Sequence, residues 1–199
     1  WAWGDNGFAS LGQNNRTQYS SPVQIPGTTW STIDGGYYTF TATKTDGTLW
    51  TWGRNENGGL GQNNRTEYSS PVQIPGTTWS KSVGMREGGM GFKTDGTLWA
   101  WGYNADYGSL GLNNVINYSS PVQLPGTTWS EINAATHSVL GLKTDGTAWA
   151  WGSNSYGRLG LNQAHNGKIS SPTQIPGTAW RRMPKFYAGS LSMGLMLET

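Results

Sequence analysis

The chain holds two histidines, His137 and His165, together with eleven carboxylates and no cysteine. Two imidazoles without thiols, and without H-x-x-x-H or H-E-x-x-H spacing, make a poor metal set. Asp46, Asp95 and Asp145 each precede a glycine in a recurring "KTDG", a turn that explains them without catalysis. Asp5, Asp34, Glu56, Glu67, Glu87, Asp106, Glu131 and Glu198 recur in no pattern, and none is assigned to an acid–base pair. Serine pairs such as Ser69-Ser70 lack a histidine partner that would activate a nucleophile. The glycines form neither G-x-G-x-x-G opening a helix nor G-K-S/T, and "NADYG" and "NENGG" lack the acidic spacing of a calcium loop. The expectation is a non-enzyme with no catalytic, metal or cofactor residues.

Recognition chemistry remains. "YSSPVQIPGTTW" occurs identically at 19–30 and 68–79, and returns as "YSSPVQLPGTTW" at 118–129 and "ISSPTQIPGTAW" at 169–180. Against this constant frame the following segments differ: "STIDGGYYTFTA", "SKSVGMREGGMG", "SEINAATHSVLG" and "RRMPKFYAGSLSMG". They place Tyr37 and Tyr38, then Arg86 and Glu87, then Thr136 and His137, then Arg181, Arg182, Lys185, Phe186 and Tyr187 at related positions. Tyr and Arg dominate binding hot spots, so these are the candidate partner-binding residues.

The elements that carry them follow from the repeat. All twelve tryptophans fall into three sets: Trp1, Trp50, Trp99, Trp149; Trp3, Trp52, Trp101, Trp151; and Trp30, Trp79, Trp129, Trp180, with spacings of 49 to 51 residues. "FKTDGTLWAWG" is a hairpin in which Asp95-Gly96 is expected to supply the positive dihedrals of a two-residue turn. Trp50 and Trp52 lie two apart on one strand face, and Thr51, Ala2, Ala100 and Ala150 line the other, so a large face recurs with a small one. Stacked units would mate the two, and the tryptophans are expected to form the core. Pro71 and Pro75 confine "SPVQIP" to a sheet edge. Glycine-bounded loops run from Gly4 to Gly12, Gly53 to Gly61, Gly102 to Gly111 and Gly152 to Gly160, each pinned by a leucine (Leu11, Leu60, Leu110, Leu159).

Composition narrows the classes. Apolar residues make up 35% and charged residues 12%, so a packed core is affordable and surface polarity comes from hydroxyls and amides. The net charge of +2 comes from scattered Arg and Lys, which argues against a nucleic-acid partner. No apolar run approaches a membrane span. Asn15-Arg-Thr, Asn64-Arg-Thr and Asn117-Tyr-Ser are glycosylation sequons that matter only in a glycosylating host. The absence of cysteine suits the cytoplasm and an exported or virion protein alike.

The ordered pattern "DGTLWTWGRNENGGLGQNN", "SSPVQIPG", "KTDGTLW" resembles the regulator of chromosome condensation repeat over essentially the whole chain. The resemblance implies an all-β propeller of four-stranded antiparallel blades, with four repeats near 1–49, 50–98, 99–148 and 149–199. Propellers of this family commonly have seven repeats, and the family's His-Ser pair before the turn occurs only as His137-Ser138. The chain opens just after a turn position and stops just before one, so its first and last strands resemble two arms of one hairpin. A four-bladed ring, a head-to-tail assembly of two chains, or a longer chain would each cover the bare ends, and the last two are favoured. By resemblance the function is that of a protein-binding or structural module, set on a virion appendage or extracellular surface because the Asn/Thr/Gly/Ser-rich repeats look like those of bacterial and phage members. The alternatives are a lectin-like propeller binding glycans and an exchange factor for a small GTPase.

Overall fold

The computed structural model describes residues 1–163, 167–183 and 196–197. Its strands form three four-stranded antiparallel sheets. The first is built of β3 (Trp30–Gly35), β4 (Thr39–Lys44), β5 (Leu49–Gly53) and β6 (Tyr68–Ile74). The second is built of β7 (Trp79–Met85), β8 (Gly88–Lys93), β9 (Leu98–Gly102) and β10 (Tyr118–Gln123). The third is built of β11 (Trp129–Ala134), β12 (Ser138–Lys143), β13 (Ala148–Ser153) and β14 (Lys168–Gln174). At either end stands a two-stranded half: β1 (Ala2–Gly4) with β2 (Tyr19–Val23), and β15 (Trp180–Arg182) with β16 (Met196–Leu197). Each blade thus takes its inner strands from one sequence repeat and its outer strands from the next. The Pro-bearing strands β6, β10 and β14 are the outer edges, where a missing N–H costs no ladder bond.

Register explains why the tryptophans recur. On the strand facing each Trp pair, a small residue lies opposite the first indole: Ala42 opposite Trp50, Gly91 opposite Trp99, Gly141 opposite Trp149. That gap is filled by the third-set tryptophan. A Cβ on Gly91 would meet the Trp79 ring at 2.8 Å, and one on Gly141 the Trp129 ring at 2.6 Å. Trp79 then packs edge-on to both Trp99 and Trp101, with ring centroids 6.4 Å away in each case. Lys44, Lys93 and Lys143 cap these triads, their ammonium groups 4.3, 4.2 and 4.5 Å from the ring centres of Trp50, Trp99 and Trp149.

Between blades the large and small faces mate as the alternation predicts. Trp52 packs with Ala2 of the preceding half-blade, and Trp151 shares one cluster with Ala100 and Leu110 of the preceding blade. Leu11, Leu60, Leu110 and Leu159 are all buried, as loop pins should be.

Two expectations are corrected. Trp1 and Trp3 are not core: they are 73% and 61% exposed. Trp52, Trp101 and Trp151, by contrast, are each covered by the loop of the preceding unit, whose carbonyl accepts the indole N–H. The Asp-Gly hairpin also differs. Only the glycines have positive φ (Gly47 +78°, Gly96 +78°, Gly146 +79°). Lys93 N–H donates to Thr97 O while Gly96 N–H donates to Lys93 O, which makes a three-residue loop with a left-handed glycine at its end. Asp95 serves instead as an acceptor for the N–H and hydroxyl of Thr97, and these bonds hold its carboxyl below the usual range.

Candidate interaction surface

The glycine-bounded loops stand on one buried asparagine each: Asn6, Asn55, Asn104 and Asn154, three residues beyond the second tryptophan of their strand. Asn104, fully buried, accepts the N–H of Leu110 at 2.9 Å through its Oδ1 and donates from Nδ2 to the Asn114 carbonyl at 2.9 Å. Asn55 repeats the pattern with Leu60 N–H at 2.9 Å and the Thr66 carbonyl at 2.8 Å. One amide closes both ends of a loop that has no regular ladder to satisfy its backbone. Loops built this way are held firmly beside the hairpin turns of the next blade.

There the variable residues meet. Phe8 of the first loop packs on Tyr38 with ring centroids 4.1 Å apart, and Tyr38 packs on Tyr37 at 4.1 Å. The Arg86 guanidinium lies 6.0 Å from the centre of the Tyr37 ring, and Tyr37 N–H donates to the Arg86 carbonyl at 3.2 Å. Arg86 Nη1 bonds His137 Nε2 at 3.1 Å, and His137 stacks on Tyr107 at 4.0 Å. Arg54, paired with Glu56, covers Phe8 and Tyr38, while Asn57 Nδ2 donates to Glu87 Oε2 at 2.6 Å. The result is a continuous aromatic and arginine band across three blades, from Phe8 to Tyr107.

The band borders a concave cavity of about 990 Å³ lined by β3, β7 and β11, whose rim includes Tyr37, Arg86, Thr136 and Arg182. Of the sequence candidates, Tyr37, Tyr38, Arg86, Glu87 and His137 are therefore joined by contact, and Thr136 sits beside them. Arg181 and Arg182 are exposed on β15, Arg182 facing the cavity. Lys185, Phe186, Tyr187 and His165 lie outside the described residues.

The partners Phe8, Asn57 and Tyr107 are not among those candidates. They occupy one loop position, each directly before a residue of positive φ (Ala9 +59°, Gly58 +77°, Gly108 +67°). Each reaches the turn residue of the next blade: Tyr38, Glu87 or His137. The fourth member, Tyr156, is 78% exposed. The position varies between copies, but so does the residue before it (Gly7, Glu56, Asp106, Ser155), so no signal in the sequence set it apart.

Arginine cannot accept, so His137 Nε2 must be unprotonated and its proton reside on Nδ1. Burial first, and the Arg86 charge second, hold the His137 pKa below its ordinary 6.5. The sign follows: the imidazolium is disfavoured in the folded protein, so as pH falls below 6.5 the Arg86–His137 contact is opposed and the fold loses stability. An NMR titration of His137 should show a midpoint below 6.5 that rises in Arg86→Ala; a midpoint at or above 6.5 in the parent chain contradicts this arrangement. Tyr103 is pushed up to about 12, chiefly by its hydrogen bond to Asp106. No group of three His, Cys, Asp or Glu side chains suited to a metal ion occurs among the described residues.

Comparison with known proteins agrees with this architecture. The regulator of chromosome condensation (RCC1) repeat matches residues 46–88, 95–140 and 145–190. Among solved structures, human WBSCR16 superposes with a TM-score of 0.76 at 21% identity, over 89% of this chain and 48% of that one. Prp20p from Saccharomyces cerevisiae, in a study of its binding properties to Gsp1p and histones, gives 0.74 at 20% identity over 89% and 46%. Yeast RCC1 (Prp20) with Kap60 bound gives 0.76 at 17% identity over 91% and 46%. This chain spans about half the length of those proteins. None of the curated proteins compared matches it. Three matched segments carry the Trp-Gly strand, the Leu-Gly loop end and the proline edge in the same order, and the chain belongs to the regulator of chromosome condensation repeat family.

Proposed function

We propose that this chain is a non-catalytic protein-binding module whose contact surface is the band from Phe8 through Tyr38, Tyr37, Arg86 and His137 to Tyr107. The observation that carries the reading is convergence. Residues that differ between otherwise near-identical repeats, and lie far apart in sequence, touch one another at the mouth of the concave face. Tyrosine and arginine held in place by stacking expose contact area at low entropic cost, the usual make-up of a hot spot. Prp20p and the Kap60-bound RCC1, which share the fold, are described by their protein partners, in keeping with this reading. The setting we propose is a virion appendage or extracellular surface, on the strength of a cysteine-free composition whose polarity is mostly uncharged.

The test is quantitative affinity capture with the parent chain, a Tyr37→Ala/Arg86→Ala variant, and Thr127→Ala on a loop away from the band. Partner affinity should fall at least 30-fold in the double variant, about 2 kcal/mol, and stay unchanged in Thr127→Ala. Equal binding by all three removes the band as the contact surface. Competition by free sugar would point to a glycan ligand instead.

A further inference from the structure

The inner edges of the first two blades meet backbone to backbone. Asp34, near the end of β3, accepts the N–H of Gly35 at 2.9 Å through one carboxylate oxygen, and through the other the N–H of Gly84, on β7 of the second blade, at 3.1 Å. Just beyond, Tyr37 N–H donates to the Arg86 carbonyl at 3.2 Å and the Thr39 hydroxyl to the Met85 carbonyl at 3.4 Å. Only glycine permits this approach. A Cβ on Gly84 would lie 2.6 Å from the Gly35 carbonyl carbon, and one on Gly36 would run into the Met85 carbonyl oxygen.

The joint between the second and third blades lacks each of these parts. Register places Val83 where Asp34 stands, Ala134 where Gly84 stands and Met85 where Gly36 stands. Val83 offers no side-chain acceptor, and the Cβ atoms of Met85 and Ala134 forbid so close an approach of the backbones. That joint is closed by side chains instead: Val83, Met85 and Met90 share one apolar cluster with Ile132 and Val139, and at its rim Arg86 meets His137.

Asp34 is exposed and adds nothing to the core, yet both its oxygens are committed to backbone, one on each blade. We infer that Asp34 is a positioning residue: by clamping β7 to β3 it holds Tyr37 against Arg86 and makes that junction the rigid centre of the band. The inference rests on the band being the binding surface. Its consequence is that two side chains remote in sequence reach a partner as one preformed unit, which lowers the ordering cost of contact.

The test needs no partner, so the clamp can fail apart from the band. Amide hydrogen exchange, read residue by residue by NMR, is compared in the parent chain, Asp34→Ala, Asp34→Asn and Gly84→Ala. In Asp34→Ala, exchange at Tyr37 should rise at least about tenfold, as expected for loss of one charge-assisted restraint, while Met90 and Phe92 of β8 keep their parent rates and the urea midpoint is unchanged. Gly84→Ala should free Tyr37 as much by forcing the backbones apart. Asp34→Asn, which keeps one acceptor oxygen, should fall between parent and Asp34→Ala. Unchanged Tyr37 exchange in Asp34→Ala overturns the proposal. So does equal acceleration at Tyr37 and along β8, which would make Asp34 a support of the whole fold and not of the junction. A freed Tyr37 with undiminished partner capture would uphold the clamp and count against the band as the binding surface.

Discussion

Replacing Trp101 by alanine should destabilise the chain by about 3–5 kcal/mol, the cost of emptying a buried aromatic site that cannot collapse. The side chain is fully buried in a cluster with Leu49, Ile74 and Trp79, drawn from two blades. The neighbours that would have to move inward are backbone: a Cβ on Gly89 would already sit 2.7 Å from the indole, and one on Gly61 3.1 Å. Truncation also orphans the Gly59 carbonyl, which accepts the indole N–H. Trp99, half-buried and with its N–H on the Thr97 hydroxyl, should cost about half as much. Urea unfolding of the two variants checks the ranking. Equal losses, or a loss under about 1 kcal/mol for Trp101→Ala, would mean that the joint between blades does not carry the stability assigned to it.

The second large effect concerns a polar residue. Asn104→Ala should cost about 3 kcal/mol, because it leaves the buried Leu110 N–H and the Asn114 carbonyl without partners. Asn104→Asp should not rescue it. The carboxylate could still accept from Leu110, but it would turn a second acceptor toward the Asn114 carbonyl inside a site with no solvent. Asn57→Ala, at the rim of the equivalent loop, should change stability by no more than about 0.5 kcal/mol. Thermal melting of the three variants distinguishes a loop anchored by one amide from a loop held by its leucine alone, for which Asn104→Asp would be nearly neutral.

Much of this frame was legible because its chemistry recurs at a fixed interval. Three sets of tryptophans with constant spacing, small residues alternating with them, and prolines that exclude ladder bonds leave few arrangements other than repeated blades. The anchoring asparagines were not legible for a compositional reason: they stand in a chain crowded with asparagine, and only burial separates Asn104 from Asn113 or Asn114. The lysine of each "KTDG" reads as a solvated charge until the triad of rings beneath it is seen. The half of the band contributed by Phe8, Asn57 and Tyr107 arises from contacts between neighbouring blades, which no local pattern in the strand or turn encodes. The other half was legible, since differences between copies of a constant frame point to residues released from the task of folding. Trp1 and Trp3 show the limit of that logic: residue type and spacing put them in the core set, and in the structure both are exposed.

The central claim is that the constant frame folds and the variable band binds. The most direct measurement is amide hydrogen exchange of the chain alone and with its captured partner. Protection should appear at residues 6–9, 35–38, 84–88, 103–107 and 135–138, the segments that build the band, and the outer strands Tyr68–Ile74 and Tyr118–Gln123 should be unchanged. Protection confined to those proline-bearing edges, with the band exchanging as in the free chain, would contradict the account.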